Sequence, residues 1–335
     1  MLDKIKDQFK GQFKDQFKDI LNYILNLIKN KPLLLISIII AIIIIFYIYS
    51  STIDMYRLDK TVVFDLDETI GHFSQLGVFY DGLERYLDKK LPNNYLEKLL
   101  KLYPEFFRPG LITILNYLKK QKQRGKCKKV MIYTNNQGPN AWANGIVEHI
   151  HDRLDYDLFD RVIRAFKIRD KKIEVNRTTH NKTIKDFLKC TRMPATTQIF
   201  FLDDQFHPKM ECDNVYYFHL EDAYTYEMSS AELIKRFLAS DLSEVIHSPK
   251  SGYSAEYFDK FMTEHMNRDT DLGDFPIYRN YKEIEPKFKK ISQKIMSALH
   301  HFFSEANKTS KNRGNKDKKN HGKTLKRTKS FDELV

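Results

Sequence analysis

The stretch Thr61-Val62-Val63-Phe64-Asp65-Leu66-Asp67-Glu68-Thr69 decides how the rest of this chain is read. Three β-branched residues and an aromatic favour a strand, and the run stops abruptly at two acids. Side chains two apart on an extended chain share a face, so Asp65 and Asp67 converge where the strand ends. In an open α/β sheet, ligands bind at that carboxyl edge. Two carboxylates held together repel, so one keeps its proton to higher pH unless a cation offsets the charge. The pair suits metal binding or acid–base work, although D-x-D-x-T alone also fits loop acids that cap a helix.

Two further apolar runs end in the same manner. Val130-Met131-Ile132-Tyr133 runs into Thr134-Asn135-Asn136, where a hydroxyl, an amide and backbone N–H groups can hold phosphate oxygens. Ile199-Phe200-Phe201-Leu202 runs into Asp203-Asp204, two more candidate metal ligands. Lys182 and Lys185 bracket a helix start for which Thr183 is the expected N-cap. Either lysine can bring a compact positive charge to a phosphate or to the acids. Strands are expected over 61–66, 129–133, 198–202 and 214–219, and helices over 111–123, 141–154, 183–190 and 230–239. That alternation argues for an α/β fold with a mostly parallel sheet covered on both faces. Residues 161–167 and 172–177 flank a polar turn and are expected to pair as a β-hairpin, and 80–103 reads as a small helical insert. Trp142 is expected to pack a helix against the sheet.

Taken in order (strand and DxDxT, strand and Thr, Lys at a helix start, strand and DD), these residues resemble the haloacid dehalogenase superfamily of aspartate-nucleophile phosphatases. Phe64-Asp65-Leu66-Asp67-Glu68-Thr69 together with Arg108-Pro109-Gly110 resembles the branch that holds RNA polymerase C-terminal-domain phosphatases and membrane-anchored Dullard-type phosphatases. The resemblance covers roughly residues 60–240 and implies a Rossmann-like parallel sheet. It makes Asp65 the nucleophile and Asp67 the general acid and base, with Thr134 and one of the two lysines on the phosphate. Mg²⁺ is implied as cofactor, held by Asp65, the Asp67 carbonyl and Asp204, with Asp203 beside them. The implied substrate is a protein carrying phosphoserine or phosphothreonine. The chain departs from the branch at Asn135-Asn136-Gln137-Gly138, where small residues are usual. The insert is too short for a large cap, so an open site suited to a macromolecule is expected. The rival readings are a phosphatase of nucleic-acid ends or small esters, and a catalytically silent binding module on a membrane tether.

The flanks have a different character. Residues 33–49, LLLISIIIAIIIIFYIY, carry no charge, and at about 1.5 Å per residue they reach roughly 25 Å, near the lower limit for crossing a hydrocarbon core. A transmembrane helix is expected over 32–51. A cleaved signal peptide would need a short basic leader rather than thirty-two preceding residues. Over 1–31, Leu2, Ile5, Phe9, Phe13, Phe17, Ile20 and Leu21 recur at spacings of three and four between Lys and Asp, an amphipathic stripe suited to a membrane interface. Residues 59–245 form the expected phosphatase-like domain, 246–305 a helical extension, and 306–335 a basic tail.

The 335 residues carry a net charge of +12, and seven of those twelve charges lie in 306–335. The body is therefore not basic enough to imply a specific nucleic-acid partner, and the tail suits anionic lipid better. Three cysteines, Cys127, Cys190 and Cys212, exclude a disulfide scaffold and a CxxC zinc ribbon. His180, His207 and His219 show no ligand spacing. Lys14, Lys18, Lys29 and Lys31 before the apolar run, against Arg57 and Lys60 after it, favour a cytoplasmic amino terminus. The reduced cysteines and the basic tail favour a cytosolic catalytic domain instead. The sequons at Asn176, Asn181 and Asn307 would be glycosylated only on the other side.

Overall fold

The computed structural model describes residues 59–247 apart from 93, 139 and 221, then 255–268 and 276–304. Ahead of these it describes helix α1, Pro32–Met55, and five residues between 18 and 26. The amphipathic stripe over 1–31, apart from those five positions, and the tail over 306–335 lie outside the described residues. The chain divides into a unit 1–57 and a unit 58–335.

In the first unit, α1 contains the whole charge-free run, and its described isoleucines, Ile36 to Ile45, are roughly half exposed or more. Among the described residues no helix is long and apolar enough to cross a membrane.

The second unit alternates strands and helices. In chain order it comprises β1 (Lys60–Phe64), α2 (Ser74–Leu87), α3 (Tyr95–Leu102), α4 (Leu111–Gln123), β2 (Lys129–Tyr133), α5 (Asn140–Leu154) and β3 (Arg161–Ile163). It continues with β4 (Lys167–Ile168), β5 (Lys171–Lys172), α6 (Ile184–Thr191), β6 (Gln198–Asp203), β7 (Val215–His219), α7 (Ser230–Leu238), α8 (Ala255–Arg268) and α9 (Tyr281–Ser304). Five strands pair in the order β3-β2-β1-β6-β7, all parallel. A parallel sheet is covered on both faces, which is why its strands read as nearly unbroken apolar runs. Alternate residues sort cleanly. Val62, Phe64, Val130, Ile132, Phe200 and Leu202 join one core, while Val63, Met131, Tyr133, Ile163, Ile199 and Phe201 join the other. Phe187 and Cys190 of α6 cover the second face.

The expected hairpin forms in part. Arg161–Ile163 pairs in parallel with β2 as the edge of the main sheet, while Lys167–Ile168 and Lys171–Lys172 pair antiparallel, and the Ile173 and Glu174 N–H groups continue that register to the Phe166 and Ala165 carbonyls at 3.0 and 3.3 Å. A short apolar run carries no mark of which neighbour it will pair with, so local pattern alone misassigned it. The insert is two helices, α2 and α3. Trp142 of α5 meets Tyr80 of α2 edge-on with centroids 6.0 Å apart and belongs to the core that covers the first face of the sheet.

The described part of the expected extension 246–305 is built into the core. Phe258 and Met262 of α8, and Ile284, Phe288, Ile295, Leu299 and Phe302 of α9, are buried with the first face of the sheet. Lys60, at the start of β1, donates to the Phe302 carbonyl at 2.5 Å, placing a cation at the carboxyl end of α9.

Candidate active site

The strand order reverses at β1, whose neighbours β2 and β6 lead the chain away in opposite directions. The crevice outside such a switch point is the general ligand site of open α/β sheets. Phe64 pairs with both Ile132 and Leu202, so the residues that follow these three strands emerge side by side. The Asp65 N–H still donates to the Leu202 carbonyl at 2.8 Å, fixing the first acid against β6.

Asp65, Asp203 and Asp204 come together there, each offering a carboxylate oxygen within 4.8 Å of the others, and all three are buried. Lys182 enters between two of them, with Nζ 2.5 Å from Asp65 Oδ1 and 2.7 Å from Asp203 Oδ2. It is 2% exposed. Burial works against its charge, but the two carboxylates outweigh burial and push its pKa up. Lys182 immediately precedes Thr183, whose hydroxyl caps α6 by accepting the Asp186 N–H at 3.0 Å. Lys185 lies one residue into that helix and is exposed. Of the two candidate lysines, the structure brings Lys182 to the acids and leaves Lys185 in solvent.

The two adjacent acids have different surroundings. Asp203 is fully buried, takes the Lys182 ammonium on Oδ2, and accepts the Gln205 N–H on Oδ1 at 2.9 Å. Burial alone would raise its pKa, but Lys182 and His207 outweigh it and hold the group below the ordinary carboxylate value. Asp204 accepts the Thr69 hydroxyl on Oδ1 at 3.0 Å, while its buried Oδ2 has no hydrogen-bond partner. Burial, then the charges of Asp65 and Asp203, push Asp204 up to about 7.

Asp65 itself is raised to about 6, chiefly by burial, with Lys182 opposing. Asp67 is raised to about 7 by burial and then by Asp65 and Glu68. The side chain of Asp67 stands apart from the three-carboxylate cluster. It accepts the Asn136 side-chain amide at 2.9 and 3.1 Å on its two oxygens. The expected metal contact of Asp67 is through its backbone carbonyl, which leaves the side chain for the Asn136 amide.

Thr134 is buried at the end of β2, and its Oγ1 accepts the Asn136 N–H at 2.9 Å, leaving the hydroxyl proton to donate elsewhere. Asn135 does not turn to the acids. Its Oδ1 accepts from Arg177 Nη2 at 2.7 Å. Arg177 is fully buried and also donates to the carbonyls of Thr134, Arg164 and His180. Sequence reading gave neither Arg177 nor Asn136 a role of its own. Nothing in local pattern marks an arginine that will bond a carbonyl 43 residues away.

Arg108 is a second buried strut. Its guanidinium donates to the Thr69 carbonyl at 2.7 Å and to the Glu68 carbonyl at 2.5 Å. That grip holds Glu68 in the left-handed region at φ 55°, an uncommon state for a residue with a side chain. The same turn presents Thr69 to Asp204. Gly110, at φ 85°, starts α4 so close to α9 that a Cβ there would fall 2.7 Å from Ser292 Cβ. The Arg108-Pro109-Gly110 sequence is thus explained by two needs, a clamp on the acid loop and room for α9.

A cation is the chemical complement of this site. Asp65 and Asp204 supply hard oxygen donors, one of them an orphaned buried atom, and the carboxylates outnumber the lysine. In metal-free protein Asp65, Asp67 and Asp204 titrate above the unfolded value of about 4. The stability their protonated forms contribute is fully present below about pH 4 and is lost as pH rises through about 6 to 7. Protons and a divalent cation compete for these oxygens. The rise in Tm on adding a divalent cation, relative to EDTA, is therefore expected to be several degrees at pH 8 and small at pH 5. Calorimetry at the two pH values checks it.

No protein-family model, curated protein or solved structure matches this chain.

Proposed function

We propose that the chain is a Mg²⁺-dependent phosphatase that removes phosphate from phosphoserine and phosphothreonine in proteins through an aspartyl-phosphate. It is similar in its motifs to the haloacid dehalogenase phosphatases, and α1 would tether it to a membrane. The observation that carries the reading is Lys182 wedged between Asp65 and Asp203, with Asp67 off the cluster beside them. A charged-lysine and carboxylate site of this kind binds a dianionic phosphate only if further positive charge is present.

Asp65 and Asp204 would hold the ion. Bound there, Mg²⁺ would offset the carboxylate charge and polarise the phosphoryl oxygens. Asp65 attacks phosphorus, and the bond from phosphorus to the seryl or threonyl oxygen breaks. Asp67, raised to about 7, has a proton to give to the departing oxygen near neutral pH. A water then attacks the aspartyl-phosphate, Asp67 takes its proton, and the phosphorus–Asp65 bond breaks to release inorganic phosphate and regenerate both acids. Lys182 keeps Asp65 ionised and opposes the phosphate charge. The Thr134 hydroxyl proton, left free by the bond its oxygen accepts, is available to a phosphoryl oxygen.

The charge-free run within α1 and its exposed isoleucines support the membrane tether, because a water-facing apolar surface of that extent needs a cover. The test is a panel of phosphoserine peptide, 5′-phosphorylated oligonucleotide and small sugar phosphate, assayed on the full chain with Mg²⁺ and with EDTA, alongside carbonate extraction of membranes. Turnover is expected on the phosphopeptide, at least about 100-fold lower in EDTA, with the chain retained in the pellet. Turnover of no substrate in the panel overturns the phosphatase reading, and preference for the oligonucleotide or sugar phosphate overturns the substrate class. Release by carbonate overturns the tether.

A further inference from the structure

We infer that Asn136 is a positioning residue for the leaving-group step, holding the Asp67 carboxyl toward the departing oxygen; this rests on the phosphatase reading above. Three contacts fix the Asn136 amide. Its backbone N–H is tied to Thr134 Oγ1 at 2.9 Å, its Oδ1 accepts the Gly138 N–H at 2.9 Å, and its Nδ2 spans both Asp67 oxygens. An amide can ordinarily be turned over, exchanging donor and acceptor. Here the Gly138 N–H requires an acceptor, so the oxygen must face it and the NH₂ must face Asp67.

The turn is shaped for that purpose. A Cβ on Gly138 would stand 2.9 Å from Asn136 Oδ1, so the close approach needs a glycine. One side chain therefore couples the end of β2, which presents Thr134, to the loop after β1, which presents Asp67. Lys182, not Asn136, holds Asp65. The nucleophile and the acid have different partners, which keeps Asp67 from joining the carboxylate cluster and leaves it directed at the leaving oxygen.

A residue that only orients the acid matters in proportion to how much the leaving group needs a proton. Seryl oxygen is a poor leaving group and p-nitrophenolate a good one. For Asn136→Ala in the full chain with Mg²⁺ at pH 7.5, kcat/KM on a phosphoserine peptide is expected to fall about 100-fold, within the usual range of a general-acid contribution. On p-nitrophenyl phosphate the loss should stay under about tenfold, with KM near wild type on both. Asn136→Asp keeps an acceptor for the Gly138 N–H but turns a carboxylate oxygen on Asp67, so it should show the same split, with a melting temperature that falls below wild type as pH rises because the two carboxylates then repel. Equal losses on the two substrates, or wild-type rates in either variant, overturn the inference while leaving the phosphatase intact. An inactive wild type overturns the phosphatase reading and the inference with it.

Discussion

The Asp65→Asn substitution should abolish turnover of every phosphate ester, by about 10⁴-fold or more, without unfolding the protein. The size follows from the step removed. An amide cannot form the acyl-phosphate, so the reaction loses its two-step route and not merely a favourable contact. The fold should survive because the substitution keeps the backbone N–H that bonds Leu202, and because burial and Asp203 already press against the Asp65 charge. Lys182 retains Asp203 as a partner. The stabilisation by a divalent cation should shrink as well, since one of its two oxygen donors becomes neutral. Phosphopeptide turnover, and melting with and without the cation, are the measurements. Residual activity within about tenfold of wild type would exclude Asp65 as nucleophile.

The parts of this site that were legible in the sequence are those set by strand ends. Asp65, Thr134, Asp203 and Asp204 each terminate or immediately follow an apolar run that reads as a buried strand, and the parallel sheet delivers all four to one edge. The helix over 111–123 and the Thr183 cap were readable for a similar reason, since periodicity and capping are local. What local pattern does not carry is the choice among equals. The Thr183 cap already puts Lys182 before the helix and Lys185 within it, but only the fold decides which of the two reaches the acids. Asn135 and Asn136 are adjacent amides, and the turn to Gly138 sends one to Asp67 and the other to Arg177.

Long-range burial was the least legible. Arg108 was read as part of a motif, yet its work is to bond two carbonyls of the acid loop beneath Tyr224 and Phe288. Phe288 belongs to α9, far along the chain from the acid loop. A segment that looked like an appendage therefore forms the roof over the arginine that shapes the site. The link is physical, because a buried guanidinium is costly unless it is bonded and covered. Nε and Nη2 of Arg108 donate to loop carbonyls, Nη1 is buried without a hydrogen-bond partner among the described residues, and the rings of Tyr224 and Phe288 cover the group.

Lys182→Met tests the electrostatic centre of the arrangement. The substitution leaves the stem packed but removes the one ammonium that Asp65 and Asp203 share. Two carboxylates then face each other in a dry site with the ammonium gone and the His207 imidazole, 3.5 Å from Asp203, as the remaining basic neighbour, and breaking a buried pair in this way costs about 3–5 kcal/mol. The affected acids escape by taking protons, so the loss should be small near pH 5 and grow as pH rises toward 8. A divalent cation should recover part of the stability at pH 8, but not the turnover, because the ammonium that opposes the phosphate charge is gone. Lys185→Met, three residues along and exposed, should change stability by no more than about 0.5 kcal/mol and leave activity intact. Denaturant unfolding of both variants at the two pH values distinguishes the lysines. Equal effects of the two substitutions would mean that Lys182 is not the buried counter-ion on which the site depends.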